Sequence, residues 1–297
     1  MSTSATETTP AASSEQSGNG HRMPVFFVSH GGPNLLDDTE YPADQPIARG
    51  LRQIGDDIRA LNPHGMVVIS GHWESNSGTR GGLQVNGRSA IPQPLIYDFY
   101  GFPPHMYRET FEHKVDPKLT QQVAGLFAKA GVPIDTVDRG LDHGVWVVLK
   151  KAGLASAAFP IVQLSLLGTE SMDDHLRMGE ILSPLRDQGV VIVGSGMAVH
   201  NLRDLFGSGP SSGGAIRPYV KPFDMEVDRA AIESAPDARR AAMVALASSD
   251  YLRKAHPTLE HLLPLHVAVG AAGYQANAKK MLEAYQLSVS WSCYKME

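Results

Sequence analysis

Four apolar runs constrain this chain more than any other feature: MPVFFVSH at 23–30, GMVVISGH at 65–72, FPIVQLSL at 159–166 and GVVIVGSG at 189–196. Each is short and rich in Val, Ile, Leu or Phe, and each reads as a strand buried on both faces. Between them the apolar spacing turns helical, at about 45–61, 117–131 and 175–188. That alternation predicts an α/β fold with a mostly parallel central sheet flanked by helices. The last third predicts a long helical region from about 222 to 249, a second helix near 259–273 and a final strand, LSVSWSC.

At 297 residues the chain is long enough for one large domain that buries about 75% of its unfolded surface. No internal repeat and no linker divides it, so one domain is expected over 23–297. Residues 1–22 are mostly Ser, Thr, Ala and Gly, without a basic start or an apolar segment, which predicts a disordered leader rather than a secretory signal. GSGPSSGGAIRP at 207–218 reads as a surface loop. A net charge of −5 without a basic block argues against nucleic acid, and no apolar run reaches the roughly 18 residues of a membrane span. The single cysteine, Cys293, excludes an internal disulfide and cysteine-rich zinc sites, and suits a cytoplasmic location.

The twelve histidines matter for where they fall. His30 ends the first run, His72 ends the second, and His200 follows the fourth by a short turn. Strand carboxyl ends of a parallel sheet share one edge, where ligands bind, so these imidazoles are expected to converge. Any one of them alone reads as a turn or capping residue; three together point to a site. Neutral imidazole is a common ligand of zinc and non-haem iron and leaves positions open for substrate. Glu74 and Asp142 are candidates either to ligate or to orient an imidazole from behind. His256, His261 and His266 offer a further ligand, and spacing does not choose among them. The stretch IYDFYGFPPHMY at 96–107 is proline-broken and aromatic, and reads as a wall or lid over a planar substrate. Its Tyr97, Tyr100 and His105 are candidate substrate contacts, as is Asn201 beside His200. A Walker loop and an H-E-x-x-H helix are absent from the sequence, and its G-x-S-x-G match, GPSSG at 209–213, follows no apolar strand run and so is not a nucleophile elbow.

Taken in order, SHGGP, VVISGHWE, YDFYGFP, GLDHGVW, FPIVQLSL, GSGMAVHNLR, HPTLEHLLPL and LSVSWSCY resemble the class III, LigB-like extradiol ring-cleavage dioxygenases, in the branch typified by 4,5-DOPA extradiol dioxygenase. The resemblance implies an oxidoreductase of aromatic-compound metabolism that opens a catechol with O₂ to a muconic semialdehyde type product. By it, His30, His72 and His261 are metal ligands, His200 is the acid/base and His143 lines the pocket. It implies Fe(II) in the active enzyme, with Zn(II) able to occupy the same ligands in purified protein. The chain departs from the family pattern at VVLKKAGLASAA, 147–158, and over 207–255. The competing readings are a zinc-dependent hydrolase on the same ligands and a non-catalytic, Memo-like binding protein. A catechol and O₂ are the expected partners, and a homo-oligomer is left open.

Overall fold

The four apolar runs lie side by side at the middle of one sheet. The computed structural model describes residues 22–75, 82–207, 214–233 and 235–297. Its strands are β1 (Val25–Ser29), β2 (Gly65–Glu74), β3 (Leu83–Asn86), β4 (Ile134–Val137), β5 (Ile161–Leu166), β6 (Val190–Gly196), β7 (Val199–His200), β8 (Ala278–Leu282), β9 (Tyr285–Gln286), β10 (Val289–Ser290) and β11 (Cys293–Met296). The large sheet has the order β4-β3-β5-β2-β6-β1-β11-β8, and β7-β10-β9 form a small second one. The β5-β2-β6-β1 centre is parallel, whereas β11 and β8 close one side antiparallel. One α/β domain with a mostly parallel sheet is what the runs predicted.

The helices are α1 (Pro46–Ala60), α2 (Pro117–Lys129), α3 (His143–Lys151), α4 (Met172–Leu182), α5 (Leu202–Phe206), α6 (Val220–Asp228), α7 (Pro236–Ala245), α8 (Leu252–Ala255) and α9 (Leu263–Ala272). In β1, Val25 and Phe27 join a core built with α2, α4 and α9, while Phe26 and Val28 join one built with α1 and α3. The strand body is buried on both faces because helices cover both, and each such side chain contributes roughly 1.5–3 kcal/mol. Helix α1 shows the local logic: Pro46 opens it, Ile47, Leu51, Ile54 and Ile58 form its buried stripe, and Asn62 turns the chain away at φ 46°. All of α9 is buried, which fits a helix that is apolar all round.

Three expectations need correction. The helical region expected at 222–249 is interrupted: a π-turn at Arg229–Glu233 follows α6, and Pro236, which lacks an N–H, starts α7 afresh. The strand expected at 287–293 is split between β10 and β11, because the chain crosses there from the small sheet to the large one. The helix expected from 259 begins at Leu263, and the turn before it carries His261. Of the leader expected over 1–22 only Arg22 lies within the described residues, where it bonds to Ser183 Oγ at 2.6 Å. Residues 208–213 of the expected 207–218 loop lie outside them. No helix among the described residues is long and apolar enough to cross a membrane.

Candidate active site

The carboxyl ends of β1, β2 and β6 meet at one edge, and the site is built there. His30 follows the last residue of β1, bonded through its N–H to the Gly196 carbonyl at 2.9 Å. The β2–β6 ladder stops at Ser70–Ser195, and the β2–β5 register shifts beyond Ile69, so the strand bends and presents His72. His261 reaches the same point from the turn before α9, which Met197 N–H holds through the His261 carbonyl at 2.9 Å. That turn can approach only because β6 ends on glycine: a Cβ at Gly196 would lie 2.1 Å from the His261 carbonyl oxygen. A Cβ at Gly144 would likewise lie 2.6 Å from Ser70 Oγ and 2.8 Å from His72 Cδ2.

The Nε2 atoms of His30 and His72 are 3.1 Å apart, and those of His72 and His261 are 3.2 Å apart. Their tautomers follow from what each Nδ1 meets. Ser195 Oγ gives its single proton to the Gly144 carbonyl, so at 3.0 Å it accepts from His30 Nδ1–H. His72 Nδ1 lies 3.2 Å from Asp98 Oδ2, and His261 Nδ1 lies 2.9 Å from Glu260 Oε1, so both donate to carboxylates. In the neutral ring of that tautomer each Nε2 is the acceptor nitrogen. Hydrogen bonds between the Nε2 atoms would need a proton on one of them. Burial, followed by the positive charge of the neighbouring imidazoles, holds the pKa of His30 and His261 well below the usual histidine range. Three Nε2 atoms turned on one point, that of His72 about 3 Å from each of the other two, suit a cation, and the donor set fits Fe(II) or Zn(II).

His200, on β7, stacks on His261 with ring centroids 3.6 Å apart. His143 opens α3, and its ring lies 4.0 Å from that of His72. Its backbone N–H and Nδ1–H both donate to Asp98 Oδ1, at 3.0 and 2.9 Å. Burial first, then neighbouring imidazoles, lowers the pKa of His200, and burial, then His72, lowers that of His143 against the pull of Asp98; both shifts favour the neutral ring. Burial pushes the Asp98 carboxyl up, but hydrogen bonds and charge from His143 and His72 outweigh it and hold it well below the carboxylate range. The five imidazoles share a cavity of about 740 Å³ with Phe99, Phe102 and Trp291 in its wall.

The other sequence candidates are placed differently. Tyr100 is at the mouth of the cavity and 89% exposed. Tyr97 does not line it, because its hydroxyl donates to the Glu109 carbonyl at 2.7 Å. His105 is exposed on the surface outside it. Asn201 caps α5 by accepting from Asp204 N–H at 3.1 Å, and its amide donates to the Lys254 carbonyl. Glu74 sits exposed at the tip of β2, with Glu260 and Glu170 as the charges acting on it after burial. Asp142 is buried and accepts from Ser70 Oγ at 2.8 Å, whose oxygen accepts from His72 N–H at 3.1 Å, so it acts on the backbone of His72. The carboxylates behind the imidazoles are Asp98 and Glu260. Both stood inside the quoted stretches, YDFYGFP and HPTLEHLLPL, and the signal missed was the lone acid embedded in each. A separate acidic group, Asp224, Asp228 and Glu283, is bridged by Lys280 Nζ at 3.0, 2.6 and 2.9 Å.

The fold and site define a class: α/β proteins whose strand ends present histidine and carboxylate groups able to hold a metal ion beside an aromatic cavity. The family described as the catalytic LigB subunit of aromatic ring-opening dioxygenase matches residues 24–295, and the chain belongs to that family. It is an extradiol-type dioxygenase by that membership. Among its relatives, the 4,5-DOPA dioxygenase extradiol of Beta vulgaris is 32% identical over 91% of this chain and 95% of its own length. The protein of the same name from Escherichia coli K12 is 34% identical over 84% and 85%. The dioxygenase tasH of Hapsidospora irregularis is 32% identical over 88% and 82%. A crystal structure of an uncharacterized Escherichia coli K12 protein superposes with a TM-score of 0.72 at 27% identity, over 93% of this chain and all of that one.

Proposed function

We propose that the chain is a non-haem Fe(II)-dependent extradiol dioxygenase that opens the ring of a catechol with O₂, both oxygen atoms entering a muconic semialdehyde type product. The observation that carries this reading is the convergence of three Nε2 atoms, from His30, His72 and His261, each ring backed at Nδ1. Those three residues would hold the ion. Bound there, Fe(II) supplies the redox chemistry with O₂ that no side chain can supply. The chain does the rest. Neutral His200 accepts a catechol hydroxyl proton at a ring nitrogen and later returns it, help worth about 10²–10⁴ in rate. His143 carries its proton on Nδ1 toward Asp98, which leaves Nε2 to accept from the second hydroxyl. Phe99, Phe102 and Trp291 flank the planar ring and keep water out. The relatives named for 4,5-DOPA make DOPA a first catechol to try.

The test is oxygen consumption by anaerobically iron-loaded protein against a catechol panel, with absorbance followed for a ring-opened chromophore. Uptake should fall by about 10²-fold or more in His200→Ala. No uptake with iron demonstrably bound would sink the proposal and favour the zinc hydrolase, which uses the same ligands without O₂.

A further inference from the structure

The cavity is larger and more apolar than one diol ring requires. It encloses about 740 Å³, whereas a space of roughly 150 Å³ admits a benzene ring. Beyond the imidazoles its wall continues along α5 through Leu202, Leu205 and Phe206. Leu202 is 42% exposed and Phe206 75% exposed, and no residue of α5 is buried. Apolar side chains are thus held open to the cavity rather than packed into the core.

Charge is missing from the same wall. Among the described residues no lysine or arginine lines the cavity, and its one carboxylate, Asp98, is engaged by His72 and His143. Several of the polar lining groups away from the imidazoles are also committed. Gln286 Oε1 accepts from Tyr41 at 3.1 Å and from Trp291 Nε1 at 2.9 Å. Asn34 donates to Glu40 at 2.6 Å, and Tyr285 donates to Asp224 at 2.9 Å. A carboxylate and an ammonium entering here would lose water without gaining a counter-charge. An alkyl or aryl group would instead gain about fourfold in affinity per methylene buried.

We infer that the catechol this chain opens carries an uncharged, apolar substituent of several carbons, seated against Leu202, Leu205 and Phe206. The inference rests on the ring-cleaving reading above and names its substrate class. The test has two arms on one ligand series: catechol, 4-methylcatechol, 4-butylcatechol, 4-hexylcatechol and DOPA. In the first arm, calorimetry on the metal-free chain is expected to show affinity rising about three- to fourfold per methylene over the first few. DOPA should bind more weakly than 4-methylcatechol. Phe206→Arg, on an exposed side chain, should flatten the alkyl series and improve DOPA by several-fold, with circular dichroism checking its fold. In the second arm the iron-loaded protein is followed by oxygen uptake, and kcat/KM should rank the series in the same order. Tighter binding or faster cleavage of DOPA than of 4-butylcatechol would overturn the inference and leave ring cleavage standing. The alkyl trend in binding with no oxygen uptake from any catechol would sink ring cleavage instead, and with it the assignment of a substrate.

Discussion

Asp98 holds two imidazoles with one carboxylate: Oδ2 faces His72 Nδ1 and Oδ1 faces His143 Nδ1. Replacing it frees both rings to turn and removes the charge that favours the Nδ1–H tautomers. Asp98→Asn is therefore expected to weaken Fe(II) or Zn(II) binding by about 10–100-fold, read by competition with a chromophoric chelator. Glu74→Gln should leave the same affinity within about twofold, since Glu74 stands exposed beside other carboxylates rather than behind an imidazole. Equal losses in the two variants would contradict this division. His30 and His72 were legible because a histidine that ends an apolar run must project from a strand tip. His261 was not legible from spacing, because a turn against Gly196, rather than a helix face, aims its ring. Asp98 was hidden among aromatic neighbours whose bulk suggested a wall.

At the level of the element, the same substitution should act with opposite sign in two places. Gly196→Ala puts a methyl group 2.1 Å from the His261 carbonyl. It should cost about 1–3 kcal/mol and also loosen metal binding, because the turn carrying His261 must retreat. Gly125 lies exposed in the interior of α2 with open space where a Cβ would go. Gly125→Ala should stabilise by about 0.4–1 kcal/mol through helix propensity and a less disordered unfolded chain. Urea midpoints of the two variants check both, and a stabilised Gly196→Ala would refute the close approach. The central strands and α1 were readable because five or more residues of consistent pattern leave a periodic trace. The two-residue strands β7, β9 and β10 leave none, yet β7 and β10 together place His200. Pro236 was a visible break in the expected long helix that the helical spacing around it masked.

Over the whole molecule, buried neutral histidines set the response to acid. His256 donates from Nε2 to the Ala198 carbonyl and leaves Nδ1 buried without a partner among the described residues, and His266 is enclosed by backbone carbonyls. Burial lowers each from 6.5 to about 4. The unfolded chain takes up these protons first, so stability is full above about pH 6.5 and falls as the pH drops toward 4. The loss should reach about 2 kcal/mol per histidine by pH 5, seen as a lower urea midpoint than at pH 7. A midpoint unchanged between those values would show that the two rings are not held neutral. The broad architecture was legible here because burying a sheet on both faces requires alternating strands and helices. The three converging lone pairs have a consequence at this same scale. They exist only in the folded chain, so an ion that binds them draws the folding equilibrium toward the native state by RT ln(1 + [ion]/Kd). Metal supply would then govern how much of the protein survives in a cell, through the fraction that is unfolded and open to proteolysis, before any turnover begins.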